Sequence, residues 1–144
     1  MTEEIFEQKK EPYGVLLVSL YFSANQAEEA QKSLDELKAL AQTALLGVQE
    51  DCEFYYLSQC RPSPEAATYI GVGKMEEAAS LCENNDIKLV IFDCELSPSQ
   101  IRNLEKGISP KDSDLRVIDR TMLILDIFAH HAVTGEGKDR KSVV

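Results

Sequence analysis

Ile87-Lys88-Leu89-Val90-Ile91-Phe92, followed by Asp93-Cys94-Glu95 and then by Ser97-Pro98, decides the fold. The run is apolar except for Lys88, too short for an ordinary helix, and lacks the polar alternation of a strand with one wet face. It reads as a strand covered on both sides. Ser97 before Pro98 is a helix start, with a hydroxyl as N-cap and a fixed φ at the first helical position. A buried strand turning directly into a helix is the unit of a parallel α/β sheet.

The same alternation continues in both directions. Toward the N-terminus, Val15-Leu16-Leu17-Val18-Ser19-Leu20 is a second buried strand, and Ser23 to Asn25 break it with capping chemistry. Residues 26–46 read as one helix, because Ala30, Leu34, Leu37, Leu40, Ala41, Ala44 and Leu45 recur at three- and four-residue spacing; Gly47 is its expected stop. Residues 52–58 are an aromatic-rich strand, and 59–68, with Pro62 and Pro64, an irregular loop. A helix is expected over about 74–84, carrying Met75, Ala78, Ala79, Leu81 and Cys82. Toward the C-terminus, the helix from Pro98 runs through Ile101 and Leu104 to Gly107, and Arg116-Val117-Ile118 is a short fourth strand. Asp119 caps a helix over 119–133 that is apolar on more than one face. The expectation is a small parallel sheet of about four strands with helices on both faces, joined by right-handed crossovers and ending in an apolar C-terminal helix. Residues 13–133 form the domain, 1–12 a flexible leader and 134–144 a frayed tail.

The chain has 144 residues, 44% hydrophobic and 28% charged, which suits one globular domain. Its net charge is −10. Residues 1–99 hold 7 basic and 18 acidic side chains, and residues 100–144 hold 8 and 7. Binding to DNA, or docking on an anionic membrane, is disfavoured, and any polyanion contact favours the C-terminal third. No run approaches the roughly 18 apolar residues of a membrane span, and no signal peptide leads the chain. Cys52, Cys60, Cys82 and Cys94 form no Cys-x-x-Cys pair, and His130 and His131 are adjacent, so reduced thiols, a cytoplasmic location and no bound zinc are expected.

Gly71-Val72-Gly73-Lys74 is the segment most suggestive of a ligand. It is not a phosphate loop: the first glycine position holds Thr68 and the Ser/Thr position holds Met75. It is not the dinucleotide fingerprint either, because position 76 is Glu. Two glycines and a lysine at a helix start can still bind an anion, and they equally suit a tight entry into the helix. Asp93 and Glu95 stand where open α/β sheets place ligands and suit magnesium, a general base, or plain solvation of a turn. His130-His131 complement a helix C-terminus. The bare side of helix 119–133, with Leu123, Ile124, Ile127 and Phe128, is either core or an interface for self-association. No catalytic constellation is present.

Three ordered blocks carry a resemblance: Tyr69-Ile70-Gly71-Val72-Gly73-Lys74 with the two glutamates after Met75; Leu89 through Gln100 continuing into Arg102-Asn103-Leu104-Glu105; and Val117-Ile118-Asp119-Arg120-Thr121 with Leu123 to Ala129. Together they resemble the N-terminal domain of HflX, a family of ribosome-associated GTPases. The resemblance implies a parallel α/β domain followed by a helical hairpin and a separate GTPase domain. It also implies association with the large ribosomal subunit, and ATP, with magnesium, as a weak ligand. On that basis the candidate nucleotide or anion site is Gly71, Gly73, Lys74 and Asp93, and the candidate ribosome contacts are Lys74, Arg102 and Arg120. Val72 replaces the lysine of the family's glycine turn. After Lys138 the sequence departs from the family's long helix, so a truncated hairpin is expected. GTP hydrolysis would then need a GTPase domain supplied from elsewhere.

Overall fold

The computed structural model describes residues 12–46, 51–109 and 114–132. Apart from Pro12, the expected leader over 1–12 lies outside the described residues, as do the stop at Gly47 and the tail from 134. Strands β1 (Tyr13–Tyr21), β2 (Cys52–Cys60), β3 (Ile87–Phe92) and β4 (Arg116–Asp119) alternate with helices α1 (Ala27–Leu45), α2 (Val72–Asn84), α3 (Pro98–Ile108) and α4 (Arg120–Ala132). The four strands form one parallel sheet in the order β2-β1-β3-β4.

Burial follows from the alternation of side chains across each strand. Val15, Leu17, Leu89, Ile91 and Ile118 point to one face, where α1 and α4 bring Leu34, Leu37, Ala41 and Leu123. Leu16, Val18, Val90, Phe92 and Val117 point to the other, where α2 and α3 bring Ala78, Cys82, Leu104 and Ile108. A central parallel strand wetted on neither face is apolar on both sides, which is why β1 and β3, apart from Ser19 and Lys88, lack a polar alternation. Gly14 marks the one irregularity: the β1–β3 register shifts between Gly14 and Val15, and a Cβ on Gly14 would sit 3.0 Å from the Ile87 side chain.

The boundaries are close to those expected. β3 occupies the expected six residues, and α3 begins at Pro98 with a complete capping box: Gln100 N donates to Ser97 Oγ (3.1 Å) while Ser97 N donates to Gln100 Oε1 (2.9 Å). A short 3-10 turn over Ala24–Gln26 precedes α1. Two expectations shift. β2 continues to Cys60, because Arg61 N still donates to Tyr21 O (2.9 Å) and prolongs the ladder. α2 starts at Val72, two residues early, because Gly73 lies in the first turn, where backbone N–H groups have no intrahelical partner and glycine's looseness costs least.

Candidate functional site

The strand order puts β1 beside β3, and the crossovers that follow them leave in opposite directions, from β1 to β2 and from β3 to β4. In such sheets the carboxyl ends of the diverging strands frame a crevice where ligands sit. Here it is a cleft of about 270 Å³ lined by Ser19, Tyr21, Gln26, Ser33 and Asp93, among others. Asp93 N donates to Val18 O (2.8 Å), extending β3 past β1 and fixing the carboxylate at the cleft floor. That side chain is only 5% exposed, and its Oδ1 accepts from the Arg120 guanidinium at 2.7 Å. Arg120 also donates to Ser33 Oγ (3.0 Å) and Glu36 Oε1 (3.2 Å), joining the start of α4 to α1. Burial opposes its charge, but the bonds to Asp93 and Glu36 more than offset this and raise its pKa. Arg120 is therefore no free surface cation: it is engaged by Asp93, Glu36 and Ser33 and stays partly exposed. Asp93 and Arg120, singled out for different roles, are each other's partners.

The glycine turn lies elsewhere. Gly71 is the N-cap residue of α2, buried, with φ −71° and ψ 165°, and its N–H donates to Gln59 Oε1 (3.0 Å). A Cβ there would meet the Arg61 guanidinium at 2.5 Å, the far end of a flexible side chain that would have to move aside, and the backbone angle itself is ordinary. A Cβ on Gly73 would meet nothing within 4 Å. Lys74 Nζ pairs with Glu77 at 2.9 Å within the helix. None of these three lines the cleft that holds Asp93, so the expected four-residue site is two separate places.

A second depression, of about 510 Å³, opens between the starts of α3 and α4. Leu96, Pro98, Ile101, Thr121 and Met122 line it, with Glu95 and the exposed Arg102 at its rim. Of the three candidate ribosome-contacting cations, Arg102 alone has no acidic partner among the described residues. The buried Asp119 at its base uses both oxygens: Oδ2 accepts from Leu96 N (2.8 Å) and Oδ1 from Met122 N (2.9 Å). The expected cap of α4 is thus also a tie to the turn after β3. On α4, Leu123 is fully buried against α1 and the sheet, so it is core, not interface. Ile127 is partly buried beside the same core, while Ile124, Leu125 (61% exposed) and Phe128 (69% exposed) face outward.

Sequence reasoning passed over Tyr69, which adopts φ 67°, a region that costs a bulky residue energy. Its ring packs edge-on against Phe92 (6.4 Å), its hydroxyl lies beside the Cys94 thiol, and Gln100 and Asn103 hold the preceding carbonyls of Ala66 and Ala67. Burial pushes the Tyr69 hydroxyl and the Cys94 thiol up to about 12 each, so Cys94 is a protonated core thiol. Among the described residues no cluster of three or more His, Cys, Asp or Glu is arranged to hold a metal ion, and no helix is long and apolar enough to cross a membrane.

Residues 31–129 match the family described as GTP-binding GTPase N-terminal. The chain is similar to the GTPase HflX of Lacrimispora saccharolytica, 41% identical over 136 residues that make up 94% of this chain and 29% of that protein. It is 43% identical to the GTPase HflX of Alkalihalophilus pseudofirmus (77% of this chain, 24% of that protein) and 38% identical to that of Escherichia coli (85% and 26%). The chain thus spans under a third of the length of these curated relatives. A solved structure described as SsGBP in complex with GDP shares the fold, with a TM-score of 0.56 and 23% identity over 88% of this chain and 32% of that one.

Proposed function

The chain belongs to the GTP-binding GTPase N-terminal family, the amino-terminal domain of HflX proteins, and from that premise we propose that it is a binding module without turnover of its own, directed to the large ribosomal subunit. GTP hydrolysis belongs, in this reading, to a separate GTPase domain. One observation supports it above the others: at the crevice where an α/β sheet would take a nucleotide, the Asp93 carboxylate is already committed to Arg120, which also holds Glu36. What the domain offers a large partner is surface, with Arg102 beside an apolar depression.

Co-sedimentation with purified large subunits tests this. Retention through moderate salt, reduced in Arg102→Glu, is the expected result. Each lost phosphate contact lowers the salt slope by about 0.9. Pelleting only at low salt, or pelleting indifferent to Arg102, would defeat the proposal.

A second reading, weak binding of ATP with magnesium at the glycine turn, draws support from the start of α2, whose first turn contains no acidic residue. Calorimetry with ATP and magnesium decides it: no heat at millimolar ligand, or heat unchanged in Lys74→Ala, ends it. The net charge of −10 weighs against tight polyphosphate binding.

A further inference from the structure

β2 is the exposed rail of the sheet. Its nine residues, Cys52-Glu53-Phe54-Tyr55-Tyr56-Leu57-Ser58-Gln59-Cys60, pair with β1 in unbroken register, and among the described residues no strand pairs with its other side. Natural edge strands are blunted by prolines, lysines, bulges or shortness. β2 has no proline, no lysine and no bulge, is as long as the central strand β1, and carries one charge, Glu53.

The direction of its hydrogen-bonding groups follows from the two ends of the ladder. Tyr13 N donates to Asp51 O (2.7 Å), and Arg61 N donates to Tyr21 O (2.9 Å). In an unbroken parallel pair this phase turns the backbone groups of the odd-numbered residues of β2 toward β1. The N–H and C=O groups of Cys52, Phe54, Tyr56, Ser58 and Cys60 therefore point away from the sheet.

We propose that this edge joins the same edge of a second copy, antiparallel, about a two-fold axis at Tyr56. That register matches all nine residues with all nine. Tyr56 faces its own copy, Phe54 faces Ser58, and Cys52 faces Cys60, so every outward group meets an outward group. Charge agrees with it: one step beyond each end, Asp51 falls opposite Arg61 of the second copy, and Glu53 falls opposite the neutral Gln59. No like charges oppose each other, which would have penalised the pairing. Tyr56, 41% exposed in the single chain, gains an aromatic cross-strand neighbour at the centre. Length, phase and charge are all self-complementary, as a two-fold contact requires, and this singles out a second copy over an unrelated strand. The result is one continuous eight-stranded sheet. The net charge of −10 on each copy opposes the approach, so association is concentration-dependent.

Sedimentation velocity on the 144-residue chain, from micromolar to near-millimolar concentration at moderate salt, tests the proposal. A reversible monomer–dimer equilibrium is expected. Tyr56→Pro removes one outward N–H and no bond to β1, so it yields a monomer at all concentrations; Tyr56→Lys, which keeps every backbone bond, does the same if the proline variant fails to fold. Asp51→Lys weakens the dimer severalfold. The amides of Phe54, Tyr56 and Ser58 exchange with deuterium more slowly as concentration rises. A parent chain that is monomeric throughout overturns the proposal. So does a dimer that survives Tyr56→Lys, or one abolished by Phe128→Glu, which would place the contact on α4.

Discussion

Asp93 is almost shielded from water, and its charge rests on the guanidinium of Arg120 at 2.7 Å. Removing one partner of such a pair strands the other, and the cost exceeds that of losing an exposed ion pair. Arg120→Ala should lower unfolding free energy by about 2 kcal/mol, discounted from a fully buried pair because Arg120 is partly exposed; a loss under about 0.5 kcal/mol in urea would show the pair to be idle. Both residues stood out in the sequence, but not as a pair: they lie 27 positions apart, and only the arrangement of the crossovers brings them together. Asp119 was half legible for the same reason. Its role as a cap is local, whereas its second oxygen reaches Leu96 N, 23 residues back. Tyr69 was not legible at all, because its φ of 67° runs against the preference of its own side chain and is held by Phe92, Cys94 and the grip of α3 on the loop. At the thiols, the exposed Cys60 should react with a maleimide first at neutral pH, while Cys82 and Cys94, both pushed up to about 12 by burial, lag far behind in the folded chain. Equal rates for all four would contradict that burial.

Elements were read best where their signals are local. The start of α3 was legible in Ser97-Pro98, to which the structure adds Gln100 as the other half of the cap, and Ser97→Ala should cost about 1 kcal/mol as a lower melting temperature, with no change in the sheet. The start of α2 was read late because Gly73 looked like a requirement of the turn. The structure gives it open space and no left-handed backbone, so Gly73→Ala should stabilise the domain by about 0.5 kcal/mol through a stiffer unfolded chain. A drop in melting temperature would mean that the glycine is kept for something that touches it. α4 was read correctly as two-sided, yet the sides were assigned imperfectly: Leu123 belongs to the core, and Leu125 joins Ile124 and Phe128 on the open side. A helix that is apolar all round gives no periodicity from which to choose a face.

At the scale of the whole molecule, Tyr69, Cys82 and Cys94 are all held in their neutral forms, with pKa values raised to about 12. The unfolded chain releases these protons near the ordinary values of 10 for tyrosine and 9 for cysteine. Stability from these groups is therefore intact below about pH 9 and declines as pH rises from there toward 12, by up to about 1.4 kcal/mol per unit for each independent group. Denaturant melts at pH 7, 9 and 10.5 would show the decline, and a flat profile would rule it out. The fold class could be read from alternating strands and helices, but the order β2-β1-β3-β4 could not, because a crossover of given length reaches either neighbour. That order has a consequence for how the chain is born. Among the described strands β1 leaves the ribosome before the others, and one flank of it is reserved for β3, which lies beyond β2 and α2 in the sequence. While β2 and α2 are being made, a strand destined for burial on both faces waits with that flank unclaimed, so the nascent protein depends on shelter until Ile87–Phe92 has emerged to close it.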